Sequence, residues 1–393
     1  MPADTSVKYF HNLLPGAPVL SGTAGSLINV LDACLVNGFG VSAVASLVVA
    51  GGVATATISG GHSGEVGSVM LVAGATPSGL NGEKKLLSVG AGNTTLTFDA
   101  TGISDQTATG SITVKMAGAG WIKPFTGTNL AAYKSANVTA SGCYLRVDDT
   151  VGKTARCVGY EMMTEIGSGV APFPTLSQRG GGTYWTKSAV ADSSARGWLV
   201  VADDRAFYLL TFYNLTYGGP GGAMMFFGDL VPTKSGDAWA CALSGYASDK
   251  SGSAPGDNND FGMMALVQGE LYLARSFPAV GGSAQAYKAF SLLVPSSSTT
   301  LASGNGPMMY PNGPDSGLYL SPMNVFELFY NCLRGAAPGL YCCPQNLPIG
   351  LFAPGGRIAS VDNMIGREIR AMPFGSSLTT AAIAFFDCTG PWR

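Results

Sequence analysis

The chain has 393 residues, of which 12% are charged and 46% are hydrophobic, and its formal net charge is −2. Soluble chains usually carry ~25% charged residues. This composition excludes intrinsic disorder, the 55 aperiodic glycines exclude collagen, and the lack of a basic excess argues against nucleic-acid binding. The low charge predicts a surface sheltered by partners, and a monomer with a Ser/Thr/Gly-rich surface is the alternative.

The first 44 residues predict an extended arm and one helix. Pro15 and Pro18 disfavour helix in residues 1–20, and the N-terminus shows no signal-peptide pattern. Thr23 is the predicted cap of a helix that ends at Asn37-Gly38. Residues 33–64 carry no charge, but glycine pairs and alternating residues interrupt them. We therefore predict no membrane span.

Residues 45–117 predict a small all-β domain inserted into an exposed loop. They contain no Trp, Tyr or Cys and are rich in Val, Thr and Gly. Short strands at roughly 8- to 12-residue spacing suit an Ig-like sandwich or a small barrel. The predicted strands are Ser46–Val49, Val53–Ile58, Ser68–Val72, Lys84–Val89, Thr94–Phe98 and Ser111–Lys115.

Residues 118–393 predict a β-rich main body, and the arm and helix of residues 1–44 are expected to be part of it. Loops are expected at 167–184 and 250–260. A second helix is expected from Ser321, its cap, to Gly335. The predicted strands are Cys143–Val147, Ala155–Glu161, Trp198–Ala202, Phe207–Tyr213, Met224–Asp229, Trp239–Leu243, Gly262–Leu266, Glu270–Ala274, Gly350–Phe352, Ile358–Val361 and Ala381–Phe386.

The predicted fold class is therefore mainly β. The main body is expected to be a β-sandwich or barrel with two short helices, and the inserted domain a smaller all-β unit.

Pairs of acidic residues are the one pattern that resembles an enzymatic site. Two carboxylates across a cleft would suit glycoside hydrolysis, but adjacent Asp residues are also ordinary turn formers. The pairs are Asp148/Asp149, Glu161/Glu165, Asp203/Asp204 and Asp257/Asp260. We interpret them as turn residues.

Other motifs are incomplete. Gly152-Lys153-Thr154 lacks the first glycine of a phosphate loop, and Gly61-His62-Ser63-Gly64-Glu65 lacks the last glycine of a nucleophile elbow. The segment Asp257–Asp260 offers oxygens for calcium without EF-hand spacing. His11 and His62 are far apart in sequence. We predict no catalytic, cofactor-binding or metal-binding residues.

The eight cysteines are too sparse for a disulfide scaffold. Reduced, buried thiols are expected, with a Cys143–Cys157 pair as the alternative.

Aromatic and methionine side chains point to contacts between subunits. Successive residues of a strand face opposite sides, so each methionine doublet serves two faces. An outward methionine suits a subunit contact, and the alternative places both side chains in the protein's own cores. The doublets are Met162-Met163, Met224-Met225, Met263-Met264 and Met308-Met309.

Several segments outside 45–117 together resemble a family of tailed-bacteriophage and prophage virion proteins. They are residues 15–22 and 31–40, Gly120–Asn129, Tyr144–Thr150, Gly159–Glu161, Gly169–Pro174 and Phe386–Arg393. In similar chains the segment ending Asn-Gly-Phe-Gly runs almost directly into Gly-Trp, which supports an insertion here. The insert resembles small β modules of tail and baseplate proteins.

The resemblance implies a multicopy structural subunit of the virion, near the tail tip or baseplate, and no catalytic residues. A receptor-binding fibre or capsid decoration protein is the alternative, and a tail-associated glycan hydrolase is a further one. The expected partners are other copies of the chain and other tail or baseplate proteins, with the host cell surface as a further candidate. Neither nucleic acid nor a membrane span is expected. The expected location is the virion, assembled in the bacterial cytoplasm.

Overall fold

A computed structural model describes residues 3–212, 219–220, 222–249, 270–289, 306–348, 350–358, 361, 363–377 and 380–393. The fold is mainly β, as predicted. Predicted features that lie outside the described residues are Gly262–Leu266, Met263-Met264, Asp257/Asp260, Tyr213 and the loop at 250–260.

The arm and the first helix pack into the main core. Strand β1 (Lys8–His11) pairs with a strand of the main body, and helix α1 (Ser26–Leu31) continues as a π-helix (Asp32–Asn37). The predicted cap was wrong, because the helix begins at Ser26 and the side chain of Asp149 accepts the N–H groups of Leu27 and Ile28. The predicted helix end at Asn37-Gly38 is confirmed.

Residues 39–116 form an eight-stranded sheet of their own, in the order β2-β9-β5-β6-β7-β4-β3-β8. The six predicted strands of this region are confirmed. Alternation explains them: in β3, Leu47 and Val49 are buried and Val48 is exposed. The strands are β2 (Phe39–Ala43), β3 (Ser46–Ala50), β4 (Val53–Thr57), β5 (Val69–Ala73), β6 (Gly82–Val89), β7 (Thr95–Asp99), β8 (Gln106–Thr107) and β9 (Thr113–Met116). Short 3-10 turns occupy Ser78–Leu80 and Ala91–Asn93.

A second sheet follows, in the order β10-β11-β12-β13-β14, with β15 also pairing with β13. The predicted loop at 167–184 was wrong, because β14 and the start of β15 lie within it; the glycines and prolines of this segment concealed two strands. The strands are β10 (Trp121–Gly127), β11 (Leu130–Ser135), β12 (Tyr144–Asp148), β13 (Thr154–Glu165), β14 (Ser168–Phe173) and β15 (Thr183–Thr186).

The rest of the chain builds one long curled sheet, in the order β1-β16-β17-β19-β21-β22-β23-β25-β26-β30-β29-β18; β20 pairs with β26, β28 pairs with β29, and β24 and β27 pair separately. The strands are β16 (Gly197–Ala202), β17 (Ala206–Phe212), β18 (Gly219–Pro220), β19 (Ala223–Asp229), β20 (Val231–Pro232), β21 (Cys241–Ser244), β22 (Leu271–Leu273), β23 (Ala284–Ala289), β24 (Met308–Met309), β25 (Ser321–Glu327), β26 (Cys332–Cys342), β27 (Gln345–Asn346), β28 (Gly356–Ile358), β29 (Ile369–Ser377) and β30 (Thr380–Asp387).

The predicted second helix was wrong. Residues 321–335 instead form the hairpin of β25 and the start of β26. Strand alternation in β25 buries Met323 and Val325, and the apolar Leu328 and Phe329 that follow lie in the turn. The predicted strand Gly350–Phe352 lies in a turn.

The long sheet has a core on each face. One face of β16 and β17 packs on the second sheet, where the ring of Trp121 lies 5.4 Å from that of Phe207 between centroids. The other face lines the inside of the curl with Tyr208, Phe226 and Phe386. Within the described residues, the second sheet packs on the long sheet with one of its two faces.

Ion pairs and hydrogen bonds join the 39–116 sheet to the main body. The Lys8 ammonium lies 2.9 Å from Glu83, and Arg370 lies 2.7 Å from Glu65. Lys85 donates to the carbonyl of Cys388 at 2.7 Å. These contacts hold one end of that sheet against β1 and β29.

Candidate interaction surface

The outer face of the second sheet is apolar and aromatic. Strand register places Lys134, Tyr144, Tyr160 and Pro172 side by side across β11–β14. Their neighbours Leu145 and Gly159 and other alternate residues point into the core. We call this surface the aromatic face and define it by its apolar members, Ile122, Phe125, Tyr144, Tyr160, Met162, Val170 and Pro172.

The rings of the aromatic face are held in place by their neighbours. Phe125 and Tyr144 stack with centroids 6.1 Å apart. The Tyr160 ring lies on Gly169, where an added Cβ would approach the ring to 2.4 Å. A surface whose side chains are already ordered loses little conformational entropy when a partner covers it.

Charged side chains lie on the same side of the sheet as the aromatic face, and they are Lys134, Arg146, Asp148 and Arg156. The Lys134 ammonium lies 4.8 Å from the centre of the Tyr144 ring. Arg146 donates to the carbonyl of Ile166 at 2.9 Å and lies 3.6 Å from Asp148. Arg146 and Asp148 neutralise each other, and the Lys134 ammonium rests on a ring of the face itself. Exposed apolar patches mark interaction sites.

The three described methionine doublets show three different arrangements. Met162 is 52% exposed on the aromatic face and Met163 is buried, as strand alternation predicts. Met224 and Met225 are buried on opposite faces of β19 and serve the protein's own cores, which is the alternative interpretation. Met308 and Met309 are both exposed.

The two carboxylates at the end of β12, Asp148 and Asp149, have structural roles. Asp149 is fully buried, forms an ion pair with the equally buried Lys187, and accepts the N–H groups of Leu27 at 2.8 Å and Ile28 at 3.3 Å. Burial raises the pKa of Asp149 and lowers the pKa of Lys187, while their mutual attraction opposes both shifts. Asp148 accepts the hydroxyl of Thr150 at 2.7 Å.

In the other described acidic pairs, three of the four carboxylates are held by partners. Both oxygens of Glu161 accept from Arg275 at 2.6 Å, and Asp203 pairs with Arg393. Burial raises the pKa of Asp203, and Arg393 opposes the shift. Asp204 accepts from Asn137 at 2.8 Å. Glu165 is exposed at the end of β13. The structure brings none of these described pairs together across a cleft.

The remaining motifs lie in ordinary structural positions. His62 is buried, with its two ring nitrogens 3.2 Å from the carbonyl of Thr95 and the N–H of Gly64. Burial lowers the pKa of His62. Lys153 lies in the turn before β13 and no helix follows it. Among the described residues no cluster of metal-binding side chains occurs.

All eight cysteines are free thiols, so the alternative Cys143–Cys157 pair does not form. Seven are buried and Cys332 is half-buried. Burial raises the pKa of Cys34 and Cys157, which keeps these thiols protonated and unreactive.

A second exposed aromatic group lies at the turn between β25 and β26. Phe329 is 84% exposed and Tyr330 is 50% exposed, with their centroids 4.9 Å apart. The erroneous helix prediction concealed this turn.

Comparison with known proteins gives no family: no protein-family model matches the chain, and no curated protein sequence matches it. Within the residues that the structure describes, no helix has the length and hydropathy needed to cross a bilayer.

Proposed function

We propose that the chain is a multicopy structural subunit of a tailed-bacteriophage virion, placed near the tail tip or baseplate, and that it binds other copies of itself and neighbouring tail proteins. The aromatic face is the observation that carries this proposal. It is apolar, and the described residues of the chain leave it exposed, which suits a permanent contact between subunits.

The charge distribution supports the same proposal. The chain has few charges, and many of them are used in internal ion pairs, which leaves little charge to keep separate copies apart. The arginines that pair with carboxylates are Arg146, Arg179, Arg196, Arg205, Arg275, Arg334, Arg357, Arg367, Arg370 and Arg393.

Mass spectrometry of purified phage particles tests the proposal. We expect peptides of this chain at many copies per particle. Its absence from particles made by a host that expresses the chain would refute the virion role.

A receptor-binding role is the second candidate, because Phe329 and Tyr330 are exposed on a hairpin turn. Antibodies directed at this turn should then block adsorption of particles to host cells. If particles adsorb normally while the antibody is bound, the receptor-binding role is refuted and only the structural role remains.

A further inference from the structure

Two buried thiols meet where the second sheet packs on the long sheet. Cys143 lies directly before β12, and Cys241 is the first residue of β21. Their side chains are in hydrogen-bond contact with each other, although the two residues lie far apart in sequence. Both belong to the hydrophobic core that the two sheets share. The contact between the two thiols is therefore produced by the packing of the sheets.

Hydrogen bonds around the two thiols hold them in place. Asp229 is the partner of Cys241 in the register of β19 and β21, and its Oδ2 accepts the N–H of Ser141 at 2.9 Å. The Ser141 hydroxyl accepts the N–H of Cys143 at 3.4 Å and also bonds to the side chain of Cys241. One serine therefore bridges the two cysteines, and the sulfurs are already together before any reaction.

A cavity of about 340 Å³ lies beside the two thiols. Its lining includes Ser141 and Asp229, which hold the cysteines, and Ala240, which directly precedes Cys241. A water molecule takes roughly 30 Å³ of liquid volume, so the cavity admits hydrogen peroxide, which is only slightly larger. The thiols are buried, but a small oxidant can reach the residues that enclose them.

The other neighbouring cysteines are not arranged in this way. Cys342 and Cys343 are adjacent in sequence, but strand alternation places their side chains in different cores. Cys157 lies opposite Val147 in the register of β12 and β13, well along the strand from Cys143.

We propose that Cys143 and Cys241 are a disulfide-forming site, which links the second sheet to the long sheet when the chain meets a peroxide. The Cys143 sulfur attacks hydrogen peroxide, the O–O bond breaks, and a sulfenic acid and one water form. The Cys241 sulfur then attacks the sulfenic sulfur, the S–O bond breaks, and the disulfide and a second water form. The two thiols lose two electrons in total, and the peroxide gains them.

The environment of Cys241 sets the order of the two steps. Burial raises the pKa of Cys241 well above its usual range, and the hydrogen bond with Cys143 adds to the rise. A protonated thiol is a poor nucleophile. Cys143 is therefore the sulfur that attacks the peroxide, and Cys241 is the sulfur that resolves the sulfenic acid.

The redox state of the surroundings decides when the bond forms. Thiols stay reduced in a bacterial cytosol, and disulfides form and persist in oxidising surroundings. In the proposed virion role, the chain is assembled with free thiols and acquires the disulfide after the particle leaves the cell. This timing rests on the proposed function, whereas the disulfide site itself does not.

Peptide mapping of the full-length wild-type chain tests the site. The chain is treated with hydrogen peroxide, its remaining thiols are blocked with iodoacetamide, and it is digested without reduction. We expect a link between the peptides of Cys143 and Cys241 to be at least about ten times as abundant as any other cysteine–cysteine link, because these two thiols are held in contact beside a cavity. Absence of this link, or oxidation of Cys143 to a sulfinic acid without it, would overturn the proposal.

Matched variants give a second readout. Oxidation should raise the Tm of wild type by at least about 3 °C over that of the same sample reduced with dithiothreitol, because a disulfide that closes a long loop restricts the unfolded chain. Cys157→Ser, which changes another buried thiol of the second sheet, should keep this shift, and Cys143→Ser should lose it. Equal shifts in the two variants, or no shift in wild type, would overturn the proposal. If Cys143→Ser does not fold, the wild-type peptide map decides alone.

The two proposals fail separately. If the chain is abundant in purified particles but Cys143 and Cys241 never link, the disulfide site is refuted and the virion role stands. If the recombinant chain forms the link but is absent from particles, the virion role is refuted and the disulfide site stands.

Discussion

Replacing Asp149 with alanine should destabilise the packing of helix α1 on the second sheet. The carboxylate joins three elements: it accepts the N–H groups of Leu27 and Ile28 at the start of the helix and pairs with Lys187 after β15. Asp149 and Lys187 are fully buried. Breaking a buried pair by removing one partner costs about 3–5 kcal/mol, because the remaining ammonium has no countercharge.

Hydrogen–deuterium exchange of the peptide covering residues 23–36 measures this cost. A loss of about 3 kcal/mol in local opening free energy corresponds to roughly 150-fold faster exchange, since 1.4 kcal/mol is a factor of ten. The control is Asp148→Ala, whose carboxylate accepts from Thr150 and lies 3.6 Å from Arg146. Its described contacts do not include helix α1, so this variant should leave the peptide unchanged. Acceleration below about threefold in Asp149→Ala would refute the reasoning.

Three further predictions follow from single side chains. Met162→Glu should change the free energy of unfolding by less than about 0.5 kcal/mol, because Met162 is exposed, and it should abolish incorporation into particles. Met163→Glu places a charge at a buried position and should prevent folding, which circular dichroism would show. Gly38→Ala should lower the free energy of unfolding, measured in urea, by clearly more than the ~1 kcal/mol expected for Gly51→Ala. Both glycines have positive φ, but only at Gly38 would an added Cβ meet backbone, at 2.0 Å. Equal losses for the two variants would contradict this. Burial disfavours the charged form of Glu65, but its basic partners outweigh that effect and hold its pKa below the usual 4.5. The stability that Glu65 contributes should be present above pH 4.5 and be lost as the pH falls through the lowered pKa. The free energies of unfolding of wild type and Glu65→Gln, measured by urea titration, should therefore become equal at low pH. A difference that stays constant with pH would contradict this.

The 39–116 strands could be predicted because each follows a period of two. In β3 the buried Leu47 and Val49 flank the exposed Val48, so one local rule determines both faces. The hairpin at 321–335 could not be identified by the same reasoning. Glu327 and Arg334 are polar residues in core positions, and their buried ion pair, 2.9 Å between Oε2 and Nη1, becomes evident only when β25 and β26 are paired.

The aromatic face was only partly predictable. The alternation of Met162 and Met163 indicates an outward apolar side chain, but β14 lay in a predicted loop, so Val170 could not be placed beside Met162. The role of Asp149 was hidden for a different reason. Its cation, Lys187, lies 38 residues away in sequence, and only the tertiary fold brings the two together.

Oxidative footprinting of the free chain and of intact particles tests the central claim most directly, because it reads the aromatic face itself. Hydroxyl radicals modify exposed methionine and tyrosine side chains. We expect Met162, Tyr144 and Tyr160 to be labelled in the free chain and strongly protected in particles. Labelling of these three residues in particles at the rate of the free chain would show that the face stays uncovered and would contradict the account.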